Sequence, residues 1–264
     1  MPPTLATSSA FSAATFSPVV LKEAKLTAPL AVGASGAAVR RVQEWLTLGR
    51  LGVVIDGVFG PATDTAIRTV QQQKALTVNG IVDDVTYGVL TTPIAAALAP
   101  MDASDSFGSD VVRVAEQHVA QHPREIGGEN RGPWVRLYMN GEEGSDFPWC
   151  AGFACFAMKQ AAAGRALPFT PSLACDEIGK SAKERGLFRE GSTISPAEIR
   201  PGSFFLVRRA NAPGWHHTGI VVSADGQSIT TLEGNTNDDG SREGYEAIKR
   251  VRRLAAVDYV IVPN

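Results

Sequence analysis

The chain has little cysteine, little net charge and no long apolar run, and each shortage argues against a class of protein. Three cysteines among 264 residues, an odd number with no C-x-x-C spacing, argue against a disulfide framework and against a zinc cluster built on paired thiols. A formal net charge of −2 gives no electrostatic footprint for nucleic acid or for a general anionic membrane surface. No apolar stretch is long enough to span a bilayer, so membrane insertion is not expected. Residues 1–28 are rich in alanine, serine, threonine and proline, with no early lysine or arginine and no sustained apolar core. That is not the pattern of a secretory signal, and a disordered tail is expected there.

Metal chemistry has one weak candidate. His118 and His122 stand four apart in a helical pattern, but Glu116 precedes His118 rather than occupying the H-E-x-x-H position, and no third ligand is near. The pair reads as a solvated helix face. Glu142, Glu143 and Asp146 are too generic to hold calcium and read as solvated surface, so no metal and no cofactor are expected.

What the chain does have is a cysteine in a privileged place. Cys150 opens an apolar helical run through Ala161, directly after the turn-like Gly144-Ser145-Asp146-Phe147-Pro148. The unpaired amides and positive dipole end of a first helical turn stabilise an anion, so a thiol there ionises more readily than a free one. Cys155, inside the same helical pattern, and Cys175, inside Ser172-Leu173-Ala174-Cys175-Asp176, lack that setting and read as inert thiols. Downstream, His217 begins an apparent strand and Glu233 ends the next. Whether the two meet depends on the turn around Ala224-Asp225-Gly226-Gln227. A two-residue Asp225-Gly226 loop sets Glu233 on the opposite face. A three-residue Ala224-Asp225-Gly226 loop pairs 217 with 233 directly, and only that register builds a site, so it is the one predicted. Asn235 then shares the face if the strand continues, and His216 points away.

These residues carry a resemblance. The region 109–264 resembles a CHAP domain, the cysteine, histidine-dependent amidohydrolase/peptidase relative of the papain-like NlpC/P60 hydrolases. The motifs are Glu125-Ile126-Gly127-Gly128-Glu129-Asn130-Arg131-Gly132-Pro133, Pro148-Trp149-Cys150-Ala151-Gly152-Phe153, Pro201-Gly202-Ser203-Phe204-Phe205, His217-Thr218-Gly219-Ile220-Val221 and Glu233-Gly234-Asn235-Thr236-Asn237, in that order. The resemblance implies Cys150 as nucleophile, His217 as general base, and Glu233 with Asn235 as the groups that orient the imidazole. Helices around His118, Cys150 and Lys180, followed by strands at 203–207, 219–222, 229–233, 247–253 and 258–262, give an α+β pattern of N-terminal helices packed on an antiparallel sheet. The alternating basic run Lys249 to Arg253 reads as protection for a sheet edge, or else an arginine there, or Arg131, receives a peptide carboxylate.

The first half holds an internal repeat. Asp56-Gly57-Val58-Phe59-Gly60-Pro61-Ala62-Thr63 recurs as Asn79-Gly80-Ile81-Val82-Asp83-Asp84-Val85-Thr86, each copy a turn, two apolar anchors, a cap (Gly60 or Asp83) and a helix start. Upstream, Ser35 is expected to cap a helix burying Val39, Val42, Trp45 and Leu46, and a second helix runs from Pro61 through Gln73 with Ala66, Ile67 and Val70 inward. This segment resembles the peptidoglycan-binding-like domain, a small three-helix bundle. It departs from that family's pattern at Val70, where phenylalanine is usual, and at Asp83, where glycine is usual. Asp56 and Gly57 read as turn-formers rather than ligand contacts.

The expected organisation is a tail at 1–28, the three-helix module at 29–92, a mobile linker at 93–108 and the α+β module at 109–264. The resemblances imply a monomeric hydrolase whose partner is peptidoglycan and whose reaction cuts an amide bond in or next to the stem peptide, as an N-acetylmuramoyl-L-alanine amidase or an endopeptidase. Without a signal, such an enzyme would reach the wall as a phage lysin (endolysin) at lysis or as a secreted effector. The alternatives are a papain-like hydrolase or deamidase of a protein substrate, and a non-catalytic wall-binding protein.

Overall fold

The computed structural model describes residues 17–237 and 244–263. An N-terminal helical module precedes helices packed on one face of an antiparallel sheet. The elements in chain order are helices α1 (Pro18–Ala24), α2 (Ala37–Leu48), α3 (Pro61–Gln73), α4 (Asp84–Leu90), α5 (Thr92–Ala97), α6 (Phe107–Val119), α7 (Pro133–Tyr138), α8 (Cys150–Ala162) and α9 (Cys175–Glu184), followed by strands β1 (Phe188–Arg189), β2 (Phe204–Arg208), β3 (Trp215–Asp225), β4 (Ser228–Thr236), β5 (Glu246–Arg253) and β6 (Asp258–Val260). Among the described residues no helix is long and apolar enough to cross a membrane.

The repeat becomes two copies of one clamp. In the first, the Gln43 side-chain amide donates to Asp56 Oδ1 at 2.8 Å and to the Val58 carbonyl at 3.0 Å, while its oxygen accepts from the Gly57 amide at 2.7 Å. Gln71 repeats this with Asn79 Oδ1, the Ile81 carbonyl and the Gly80 amide. Each helix thus satisfies the backbone of the turn that packs over it, which lets a buried glutamine replace water. The caps differ between copies: Asp83 accepts from the Thr86 amide, whereas Gly60 offers no side-chain bond. Ser35 is not a cap. It bridges to Val58, and α2 starts from Gly36 at a φ of 106°.

The sheet runs β1-β6-β2-β3-β4-β5, antiparallel throughout. Phe204, Leu206, Ile220, Leu232 and Val260 point to the core shared with the helices. Phe205, Val221, Ile229 and Tyr259 point to a second, smaller core closed by Ile194, Ile199, Leu254 and Val257. This period-two sorting follows from the alternation of the strands.

Two expectations about the chain's organisation fail. The described part of the expected tail is not loose: it contains α1, whose Val20 is buried and whose Glu23 is 1% exposed. The expected mobile linker contains α5 and buries Ile94, Ala97 and Leu98, because its alanines and Pro93 suit a helical first turn better than a spacer. The two modules share one apolar core, with Trp45 and Trp134 edge to face at 6.0 Å. Between them Arg136 of α7 donates to Glu23 of α1 at 2.8 and 3.0 Å and to Glu44 of α2 at 2.6 and 3.2 Å. A buried guanidinium left without these carboxylates would be costly, so the cluster fixes how the modules meet.

Candidate active site

Cys150 is the first residue of α8, as its sequence setting predicts, and is 3% exposed. The residue before it is anchored three ways. The Trp149 amide donates to Asn235 Oδ1 at 2.8 Å, its indole Nε1 donates to Glu125 Oε1 at 2.9 Å, and its ring stacks on Tyr138 at 5.6 Å. Gly234 lets β4 lie against this helix: a Cβ there would sit 2.7 Å from Cβ of Phe153. These contacts bring the start of α8 alongside β3 and β4.

His217 and Glu233 meet, but not through the predicted register. The hairpin closes around Gly226-Gln227, with Asp225 opposite Ser228 and Gly226 in the left-handed region at φ 54°. Carried on unbroken, that pairing would set Glu233 on the face opposite His217. A bulge at Val222 consumes one residue of β3, so that Val221 faces Thr231 and Ile220 faces Leu232. The shift restores the common face, and His217 Nε2 lies 2.9 Å from Glu233 Oε2. His216 falls at a second irregularity, skipped between the pairs Val207–His217 and Arg208–Trp215.

Asn235 does not share that role. Its φ of 52° and the irregularity between Glu233 and Thr236 turn it out of the strand pattern. It bonds the Trp149 amide and, through Nδ2, the Gly244 carbonyl. Glu233 holds the imidazole, while Asn235 holds the residue before the cysteine.

Arg252 is the residue that the sequence reading assigned elsewhere. From the edge strand β5 it grips Glu233 with two bonds of 2.6 Å, its guanidinium 5.0 Å from the centre of the Phe205 ring, and Thr231 Oγ1 donates to the same carboxylate at 2.6 Å. The alternation that marks an edge strand also aims Arg252 inward, and no local signal separates the two uses. Arg131 reaches Glu143 at 3.6 Å instead. Glu143 is not solvated surface: it accepts from Arg136 and from the Gly132 amide.

The electrostatics follow from these contacts. Burial opposes ionisation of Glu233, but the bonds and charges of Arg252 and His217 prevail and hold its carboxyl at about 2. Burial also opposes the charged ring of His217, yet bonding and attraction from Cys150 and Glu233 raise it to about 9. The Cys150 thiol is pushed well below its ordinary value, first by a hydrogen bond with Cys175, then, against burial, by the His217 imidazole and the Thr218 backbone. Nε2 is engaged by Glu233, which leaves Nδ1 for the sulfur. Both shifts favour the thiolate–imidazolium pair over the neutral thiol and imidazole.

The other expected residues sort cleanly. Cys155 is buried, and burial pushes its thiol up to about 12. Cys175 corrects its reading: it is the first residue of α9, and its sulfur lies 3.9 Å from that of Cys150. His118 is not solvated. It is fully buried between Tyr138 Oη at 3.0 Å and Gln160 Oε1 at 2.9 Å, and burial lowers it to about 4. His122 lies beyond the end of α6 at φ 52°, so the two never share a helix face.

Comparison with known proteins finds the two domains. Residues 35–90 match the peptidoglycan binding domain family and residues 142–235 match the CHAP domain family. The chain carries a peptidoglycan-binding domain followed by a CHAP domain, in an α+β architecture with the helices ahead of the sheet. Together the two domains support a cell-wall hydrolase with peptidoglycan as substrate or partner. Among solved structures, "The crystal structure of SleB N-terminal domain" is similar, at 30% identity over 27% of this chain and 99% of that chain, with a TM-score of 0.26. No curated protein matches. The CHAP match spans Cys150, His217, Glu233 and Asn235 and ends before Arg252.

Proposed function

We propose that this chain hydrolyses an amide bond in or next to the peptidoglycan stem peptide, with Cys150 as nucleophile, His217 as acid and base, and Glu233 as the group that orients the ring. The observation that carries this reading is the buried relay in which Arg252 grips Glu233 and Glu233 holds His217, beside a thiol at a helix start that His217 helps to push below its ordinary value. The thiolate attacks the carbonyl carbon, forming a C–S bond and an oxyanion. First-turn amides of α8, that of Cys150 included, are oriented to receive that charge, a contribution worth about a hundredfold or more in rate per donor. The imidazolium then protonates the leaving amine as the C–N bond breaks. In the second half, neutral His217 takes a proton from water, which attacks the thioester and returns the thiol. Glu233 keeps the ring in one tautomer and stabilises its charged form, as the third member of other triads does.

In this reading residues 29–92 hold the polymer and residues 109–264 cut it, with α1 and α5 bracing the two rather than tethering them loosely. A fixed binding module raises local substrate concentration without altering the chemistry. Incubation of the purified chain with sacculi tests the proposal. Release of soluble muropeptides that disappears in Cys150→Ala supports it; binding without release overturns it. Mass spectrometry of the products assigns the bond, since free lactyl groups with intact peptides mark an amidase and shortened peptides on sugar mark an endopeptidase.

A further inference from the structure

Cys175 takes no step in the reaction above, yet it stands beside the residue that does. Its sulfur is 3.9 Å from that of Cys150, both thiols are nearly buried, and each belongs to the first residue of its helix, α8 and α9. The two lie 25 residues apart in sequence, so their meeting is made by the fold. Cys155, one turn into α8, serves as the internal control with no sulfur partner within bonding reach among the described residues.

We propose that Cys150 and Cys175 form a reversible disulfide under hydroperoxide, making the nucleophile a modification site with Cys175 as its resolving thiol. A disulfide needs the sulfurs at about 2.0 Å, so rotation of the two side chains at the helix starts must close roughly 2 Å. The Cys150 thiolate attacks one peroxide oxygen; an S–O bond forms, the O–O bond breaks, and the leaving alkoxide or hydroxide takes a proton as alcohol or water. The product is a sulfenic acid on Cys150. The Cys175 sulfur then attacks the Cys150 sulfur; the S–S bond forms, the S–O bond breaks, and the departing hydroxide leaves as water with the Cys175 proton. Two thiols are oxidised by two electrons in all and one hydroperoxide is reduced. The thiolate character of Cys150 favours the first step. The consequence is twofold: the nucleophile is masked, and it is kept from irreversible oxidation to sulfinic acid.

The test treats the folded full-length chain with hydrogen peroxide, then unfolds it in denaturant, blocks remaining thiols with an alkylating agent and maps the peptides without reduction. The expected result is a fall from three alkylatable cysteines to one, a cross-linked peptide joining Cys150 to Cys175, alkylated Cys155, and full return of all three thiols on dithiothreitol. In Cys175→Ala the expected product is sulfinic acid on Cys150 that dithiothreitol does not reverse. Wild-type protein that gives oxidised Cys150 beside a free Cys175, a bond to Cys155, or no oxidation at all overturns the inference. Because the wild-type map decides alone, a Cys175→Ala chain that fails to fold leaves the test intact, and Cys155→Ala provides a second chain that must still form the bond. The readout is independent of wall hydrolysis: a chain that forms the bond but releases no muropeptides retains this inference and loses the proposed function, and the converse result separates them the other way.

Discussion

Among the described residues stand two buried arginine–glutamate clusters, and they do different things. Arg136 sits between Glu23, Glu44 and Glu143, a closed set in which every cation meets carboxylates that have no partner able to react. Arg252 grips Glu233 in the same way, but that carboxylate passes its charge on to an imidazole and, through it, to a thiol. Both obey the rule that a buried charge must be paired. The first cluster spends its pairing on joining two modules. The second ends in an imidazole and a thiol, which converts a structural device into one that can move a proton.

The comparison breaks most visibly if the thiol is removed. Cys150→Ala is expected to lower muropeptide release by about 10⁴-fold or more while leaving the urea midpoint close to that of the parent. Equal release by the variant would place the reaction elsewhere. Arg136→Ala should do the opposite: a loss of about 3–5 kcal/mol in urea unfolding, because buried Glu23 and Glu44 lose the cation they share and keep only the outer partners Arg41 and Arg40, with much of it recovered in Arg136→Met combined with Glu23→Gln and Glu44→Gln. An unchanged midpoint in the single variant would remove that cluster from the account.

Glu233→Gln sharpens the contrast through pH. His217 is raised from 6.5 to about 9 by Cys150 and Glu233, against burial. Loss of the anionic partner should move the alkaline limb of kcat/KM down from near 9, and a limb that stays put would show that Glu233 does not hold the ring. The same shifts govern stability. The raised His217 contributes stability that is complete below pH 6.5 and lost as pH rises through about 9. The lowered Glu233 contributes stability present above its ordinary 4.5 and lost as pH falls through about 2. Smallest is Asn235→Ala, which frees the Trp149 amide and the Gly244 carbonyl. It should cost about 1–3 kcal/mol, with kcat/KM falling but its pH profile unmoved. A shifted profile would return Asn235 to the imidazole.

What the sequence made legible was local. Cys150 at a helix start, the helices at Val39–Leu46 and Pro61–Gln73, and the helix-then-sheet order all follow from periodicity and turn chemistry within a dozen residues. What it hid was non-local. The bulge at Val222 has no glycine or proline to announce it, so the meeting of His217 and Glu233 was anticipated through the wrong turn. Arg252 and Cys175 matter only because β5 lies beside β4 and α9 starts beside α8. His118 looked polar enough for solvent, and its burial required Tyr138 and Gln160 from two other helices. Alanine and proline in the segment after Thr91 suited a linker and a short packed helix equally until Ala97 and Leu98 found a core.

The central claim is that the fold favours the Cys150 thiolate with His217 as its counter-ion, and the pH dependence of thiol alkylation measures it directly. Reacted with iodoacetamide and read peptide by peptide, Cys150 should alkylate at an undiminished rate from neutral pH to well below it, Cys155 should stay unreacted, and His217→Ala should move the Cys150 profile upward. A Cys150 profile that rises only near the free-thiol value of about 8.5, and is the same with or without His217, would contradict the account.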